Sequence, residues 1–210
     1  MKIFFDTEFT GLHKNTTLIS IGLVDEDDNA FYAEFSDYDV SQCDDWINEN
    51  VIRNLILSNN PYKINSATKK DNAIYVYGTK EYIKNKLKRW LSNYNTVELV
   101  SDVCHYDMML FIDIFGGAFD LPKNVNPACH DINQDIANYY KISELEAFDK
   151  SREQILDEYT QTIDGRKHNS LYDAIVIKKI YYIVTKLSYN DSENTFTKLH
   201  NFIIKNLDIK

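Results

Sequence analysis

The residues of this 210-residue chain whose types and spacing suggest joint chemistry fall in three short stretches. Asp6 and Glu8 stand two apart in "FFDTEFTGL" (4–12), Asp107 lies in "HYDMMLF", and His168 and Asp173 bracket "HNSLYD". Side chains alternate across a strand, so Asp6 and Glu8 point to one face of a segment in which Phe4 and Phe5 read as core. On a helix over 171–187, which turns about 100° per residue, Asp173 lies at the centre of the arc made by Val176, Ile177, Ile180, Val184 and Leu187. Lys178, Lys179 and Lys186 lie on the other side. The same wheel aligns Asp107 with Leu110, Phe111 and Ile114 and leaves Asp113 off that stripe. Unpaired inward carboxylates are costly to desolvate or become protonated. Four of them call for a common cation, and a divalent metal is the obvious one.

Each residue has a plainer alternative. Ser170-x-x-Asp173 fits a capping box, with Asp173 serving only the helix N-terminus. Asp107 fits a first-turn acid complementing the helix dipole, Asp6 and Glu8 fit strand-end residues reaching water, and His168 fits an exposed loop histidine. Together these alternatives leave the pattern unexplained, because surface acids have no reason to sit at the ends of otherwise apolar elements.

The elements that must position these groups follow from periodicity. Residues 2–8, 17–24 and 30–35 read as strands, with the polar turn "DEDDN" (25–29) making an antiparallel meander. Helical spacing covers 44–55, 79–94 (Tyr82, Ile83, Leu87, Trp90, Leu91 and Tyr94 in one stripe) and 107–115, which Gly116 and Gly117 end. Residues 57–73 read as a loop and 96–103 as a strand. Two helices, about 130–141 and 150–159, sit between irregular segments of 118–167, and a terminal helix is expected near 192–206. No repeat, low-complexity tract or linker interrupts the chain, so one domain over 1–210 is expected.

Composition bounds the function. A formal net charge of −9, from 32 acids against 23 bases, argues against a protein that coats nucleic acid non-specifically. No stretch approaches a membrane span and the N-terminus lacks a signal pattern; with Cys43, Cys104 and Cys129 scattered and read as reduced thiols, the expectation is a cytoplasmic protein. Lys84, Lys86, Lys88 and Arg89 read as a solvated helix face.

At these motifs the chain resembles the DEDD exonucleases of the histidine subtype: Asp6-x-Glu8 in "DTEFTGL", Asp107 in "HYDMMLF" and His168-x4-Asp173 occur in that superfamily's order. It is most similar to a small stand-alone bacterial 3′–5′ exoribonuclease group, through "FFDTEF", "LISIGLV" and "FYA" and again over 97–116 and 165–180. One departure is that Cys104, His105 and Tyr106 precede Asp107 where an Asn is common, which leaves a part for His105 open. The resemblance implies an α/β ribonuclease H-like fold, with a mixed central sheet whose first three strands are antiparallel and whose later ones are parallel, flanked by helices. It implies two-metal phosphodiester hydrolysis at RNA 3′ ends, with two Mg²⁺ per site and Mn²⁺ as a substitute. Asp6 would bridge the ions, Glu8 and Asp173 would complete one shell, and Asp107 would act largely through water on the other. His168 would be the general base, and Phe9, Thr10, Gly11 and Leu12 would hold the terminal nucleotide, with Gly11 allowing close approach. Core packing stays open for Phe9 and Leu12, solvated loop charge for Arg166 and Lys167. The implied partner is a nucleic-acid 3′ end, RNA favoured over DNA, with no membrane; a homodimer is left open. A DNA-directed exonuclease with the same site, and a catalytically silent nucleic-acid-binding module, are the alternatives.

Overall fold

In the computed structural model, which describes residues 1–58, 63–161, 163 and 165–185, seven strands form one mixed sheet. The strands are β1 (Lys2–Phe9), β2 (Leu18–Asp25), β3 (Ala30–Phe35), β4 (Ser66–Lys70), β5 (Ala73–Gly78), β6 (Val97–Ser101) and β7 (Val125–Asp131), in the order β4-β5-β3-β2-β1-β6-β7. β1, β2 and β3 pair antiparallel, as the turn chemistry at 25–29 anticipates: the Asp25 carboxylate accepts the Asp27 and Asn29 backbone N–H groups and closes the turn. β5 runs parallel to β3, β6 to β1 and β7 to β6, while β4 closes one edge antiparallel to β5.

The described helices are α1 (Asp45–Asn50), α2 (Lys80–Leu91), α3 (His105–Phe115), α4 (Ile132–Tyr140), α5 (Glu144–Asp149), α6 (Arg152–Glu158) and α7 (Ser170–Thr185). Several differ from the sequence reading. The loop expected over 57–73 contains β4, a polar and mostly exposed edge strand without apolar alternation, defined only by its hydrogen bonds to β5. β5, β7 and α5 have no counterpart in the sequence reading either, and α4 starts at Ile132 because Asp131 ends β7 and caps the helix through the Asn133 N–H. The helix expected over 44–55 stops at Asn50, and a 3₁₀ turn takes Ile52–Asn54. The helix near 192–206, with Lys186 and Leu187, lies outside the described residues.

The period of two along β1 divides the molecule. Phe4 faces the side covered by α7, in a cluster with Val24, Tyr32, Ile177 and Ile180. Ile3 and Phe5 face the other side, where α2 and α3 bring Leu87, Trp90 and Phe111, with the Phe5 and Phe111 rings 5.6 Å apart. Asp6 and Glu8 therefore continue the α7 face and Thr7 the α3 face.

α7 reaches this position because Gly22, which pairs with Asp6, has no side chain. A Cβ there would lie 2.3 Å from the Leu171 backbone N and 2.4 Å from its Cα. The Ser20 and Ser170 hydroxyls, 2.9 Å apart, fix the same junction. Towards the other end, Lys178 is wholly buried and Lys179 nearly so, which corrects their assignment to the helix's wet side. The Lys178 ammonium donates to the Asp25 and Glu26 carbonyls (2.7 and 3.0 Å) and to Asp28 Oδ1 (2.5 Å), so it spends its three protons on the β2–β3 turn.

Gly22→Ala should push the first turn of α7 off the sheet, costing about 1–3 kcal/mol or more by overpacking. Urea unfolding would read this as a lower midpoint; an unchanged midpoint would show that α7 does not depend on this contact.

Candidate active site

β1 delivers two of the acids and α7 the third to the same place. Asp6, Glu8 and Asp173 each offer a carboxylate oxygen, and these atoms all lie within 4.8 Å of one another. The local cause is visible in the backbone: β1 and β2 stay paired through Glu8, a register shift follows between Glu8 and Phe9, and α7 begins directly over Gly22. The cap of α7 is Asn169, whose side-chain oxygen accepts the Tyr172 N–H (3.3 Å), and Ser170 is engaged with Ser20. Asp173 is thus not a member of a Ser170 capping box.

The three groups titrate as a mutually repelling set. Burial pushes the Asp6 carboxyl well above the usual carboxylate range, with Asp107, Asp173 and Glu8 adding to the rise. Glu8 is raised likewise, by burial and then by Asp173 and Asp107. Burial takes Asp173 up to about 8, although the His168 backbone hydrogen bond to it works the other way. Compact, hard oxygen donors held this close suit Mg²⁺ or Mn²⁺, and the carboxylates present fit such an ion.

Asp107 reaches the cleft from the opposite face and stands outside the three-acid cluster. Its Oδ1 accepts the Thr7 N–H (3.0 Å) and hydroxyl (2.5 Å), and its Oδ2 the Ser101 hydroxyl (3.0 Å). Burial raises its pKa to about 6 against the lowering effect of these bonds. Its contact with Thr7 ties α3 to the strand that carries Asp6 and Glu8.

His168 lines the same cleft at φ 62°, a left-handed conformation uncommon for a residue with a side chain, with its ring 5.0 Å from that of Trp46 and nearly perpendicular to it. Burial, and Lys167 beside it, lower its pKa, so the imidazole is neutral and basic near pH 7. The bend is held by residues that carry no catalytic signature. Asn54 donates to the Lys167 carbonyl (2.9 Å), and Asn169 donates to the Asn54 carbonyl (3.0 Å) and the Tyr32 hydroxyl (3.3 Å). Tyr32 in turn donates to the buried Glu34, whose carboxylate also accepts the Ile56, Leu57 and Ser58 N–H groups at 2.6–2.8 Å. Glu34 was read only as part of a strand; a lone acid within the apolar run "AFYAEF" was the available signal.

The cleft measures about 670 Å³. Of the residues expected at the terminal nucleotide, Phe9, Gly11 and Leu12 line it, whereas Thr10 is buried and bonded to Gln42 (2.5 Å), bracing the loop from below. Leu12 is 79% exposed and so is not core, and Phe9 stacks on Tyr106 with ring centres 5.3 Å apart. His105 is exposed and outside the cleft lining, and Arg166 is exposed as well. Lys167 lines the cleft and pairs with Glu153 (3.5 Å). A second brace, absent from the sequence reading, joins Asp102 to Arg152 (2.5 and 2.7 Å) and Asn133, while Asp131 accepts the Val103 and Cys104 N–H groups before α3.

The chain is similar to known proteins over most of its length. A family model described as the Rv2179c-like 3′–5′ exoribonuclease domain matches residues 1–185. No curated sequence relative matches. Among solved structures, the nuclease domain of 3′hExo, a DEDDh family member bound to rAMP, is similar with a TM-score of 0.58 at 16% identity, covering 90% of this chain and 96% of that one. A 3′-exonuclease solved in specific recognition of the histone mRNA stem-loop 3′ end gives 0.55 at 15%, covering 88% and 81%. S. pombe Pop2p in its Mg²⁺- and Mn²⁺-bound form gives 0.53 at 16%, covering 91% and 86%. At such identities the likeness shows the fold, which is ribonuclease H-like.

The acid cluster predicts an inverted pH dependence of stability. A carboxylate whose pKa rises on folding stabilises the fold below its unfolded value near 4, and that contribution is lost as pH climbs through the folded value. Here the loss should extend through about 6 for Asp107 and about 8 for Asp173. The melting temperature of protein held in EDTA should fall between about pH 5 and pH 8, and millimolar Mg²⁺ or Mn²⁺ should restore it by mass action. Asp6→Asn should raise the metal-free melting temperature at the upper pH and remove most of the metal response. A wild-type melting temperature indifferent to both pH and metal would refute the shared cation site.

Proposed function

We infer the mechanism of a 3′–5′ exoribonuclease from this site, because the chain belongs to the Rv2179c-like 3′–5′ exoribonuclease domain family. The observation that carries the reading is the convergence of Asp6, Glu8 and Asp173 beside His168 in one cleft. Asp6, Glu8 and Asp173 would hold divalent metal directly, two ions in all, and Asp107 would act through water, since its oxygens already serve Thr7 and Ser101. Bound Mg²⁺ or Mn²⁺ supplies charge neutralisation on the attacking and leaving oxygens of an in-line displacement.

The chain's own groups do the rest. His168, neutral near pH 7, takes the proton of the attacking water as general base. Its left-handed backbone, pinned through Asn54 and Asn169, aims the ring at the cleft without a search among loop conformers. Leu12, Phe9 and the Gly11 backbone hold the 3′-terminal nucleotide, and an apolar side chain accepts any base face, so nucleotides are released with little regard to base. RNA is the substrate and the terminal 3′-OH is the group held beside Glu8. A net charge of −9 fits a grip on one end of a strand better than binding along its length.

Incubating the protein with end-labelled RNA and DNA oligonucleotides, in Mg²⁺, Mn²⁺ or EDTA, should give metal-dependent ladders from the 3′ end, faster on RNA. A 3′-phosphate should inhibit and a 5′ block should have no effect; cleavage at internal positions would overturn the reading. His168→Ala should lower turnover by about 10²–10⁴-fold while keeping the metal-dependent rise in melting temperature. Loss of that rise would make His168 a ligand rather than the base.

A further inference from the structure

We propose that Phe148 and Leu145, side by side on the outer face of α5, form a subsite that stacks the bases upstream of the scissile phosphate, so that substrate length is read on this wall. The proposal rests on the exonuclease reading above. Phe148 lines the cleft yet is 55% exposed, and Leu145, three residues earlier and so one turn away on the same face, is 71% exposed. Single exposed apolar residues are ordinary, but one that lines a ligand cleft, with a second a helical turn away, is not.

The ridge is held rigidly. Ser143 and Glu146 close a capping box at the start of α5, Ala147 is buried beneath it, and Arg152 donates to the Ala147 and Lys150 carbonyls (2.9 and 2.5 Å) at its end. The two side chains are thus presented on a fixed support, which lowers the ordering cost of stacking.

Its place in the fold fits the upstream strand. Leu12 comes from the β1–β2 connection, whereas α5 packs on α4, which follows β7. In the order β2-β1-β6-β7, the acids of β1 lie between the two, so a strand whose last nucleotide sits at Leu12 and whose scissile phosphate sits at the acids continues towards α5.

The electrostatics select bases over phosphates as the contact. Of the cations of this wall, Arg152 is held by Asp102 (2.5 Å) and Lys150 by Glu158 (3.0 Å), while Lys167 makes a longer and exposed pair with Glu153 (3.5 Å). Asp149 lines the same wall and would repel a phosphate. A flat apolar face is what remains to offer a single strand, and stacking on it is indifferent to sequence.

The test is the kcat/KM of RNA dinucleotides through hexanucleotides with wild type, Phe148→Ala, Leu145→Ala and Phe148→Trp. The wild type should favour the longer substrates, and Phe148→Ala should cut that advantage by about 5- to 150-fold, the span of one lost base–aromatic stack. Leu145→Ala should cut it less, Phe148→Trp should retain it, and the change should sit in KM and persist at higher salt. Equal losses on dinucleotide and hexanucleotide, or no loss, would overturn the subsite. So would a change in solution mass on Phe148→Ala, which would make α5 a contact between copies of the chain. If the wild type hydrolyses nothing, the nuclease reading fails separately; the subsite is then judged by anisotropy of labelled oligonucleotides on the otherwise unaltered protein in Mg²⁺, with and without Phe148→Ala. Affinity that grows with length and drops with Phe148→Ala supports it, and affinity blind to Phe148 rejects it.

Discussion

Carboxylate oxygens of Asp6, Glu8 and Asp173 within 4.8 Å of one another are the constraint on which the other features depend. Like charges at that distance, half withdrawn from water, oppose folding unless protons or a cation intervene. The fold therefore has to press them together with contacts that do not yield. It does so by close packing: Phe4, next before Asp6 on that strand face, is buried in the core that α7 covers, and the helix backbone sits against Gly22 at a distance no side chain would permit. The middle of that helix is fastened by Lys178, buried and fully bonded to the β2–β3 turn. A buried ion pair contributes little net stability, but breaking it leaves a lone charge, so it fixes where α7 lies along the sheet.

The polar contacts behind the acids and the histidine follow from the same demand for precision. Thr7, on the reverse face of β1, binds Asp107 through both its N–H and its hydroxyl, so α3 and β1 move together. The His168 loop is held in a left-handed bend by a chain of bonds running from Glu34 through Tyr32 to Asn169, with Asn54 alongside. Glu34 is almost completely buried and is tolerated because four donors meet its two oxygens. Removing one such donor or acceptor leaves the other partners unsatisfied, which makes these braces stiff.

Much of the fold was legible before any coordinates. Short apolar runs place β1, β2 and β3 within a residue or so, and the polar turn at 25–29 makes β2 and β3 antiparallel. The apolar stripe of α2 and the glycine stop of α3 were equally clear. Elements without periodicity were not. β4 is "SATKK", whose exposed side chains carry no pattern because neither face is covered, and β7 is mostly exposed as well. Lys178 and Lys179 escape a helical wheel for a related reason: it sorts residues by their own polarity, whereas burial of a lysine depends on partners, for Lys178 Asp28, 150 positions away, and for Lys179 Gln161.

For the site, the sequence by itself determined the chemical set. Two acids two apart on a strand must share a face, and an acid central to an apolar helical arc must point inward, because both statements follow from backbone periods of 2 and about 3.6. Only the tertiary structure decided that these acids meet, that Asp107 stands apart with its oxygens already engaged, and that Asn54, Asn169 and Glu34 hold the histidine loop. Those outcomes depend on the docking of α7 over Gly22 and of α3 beneath Thr7. Contacts between residues 100 or more positions apart leave no period in a single chain.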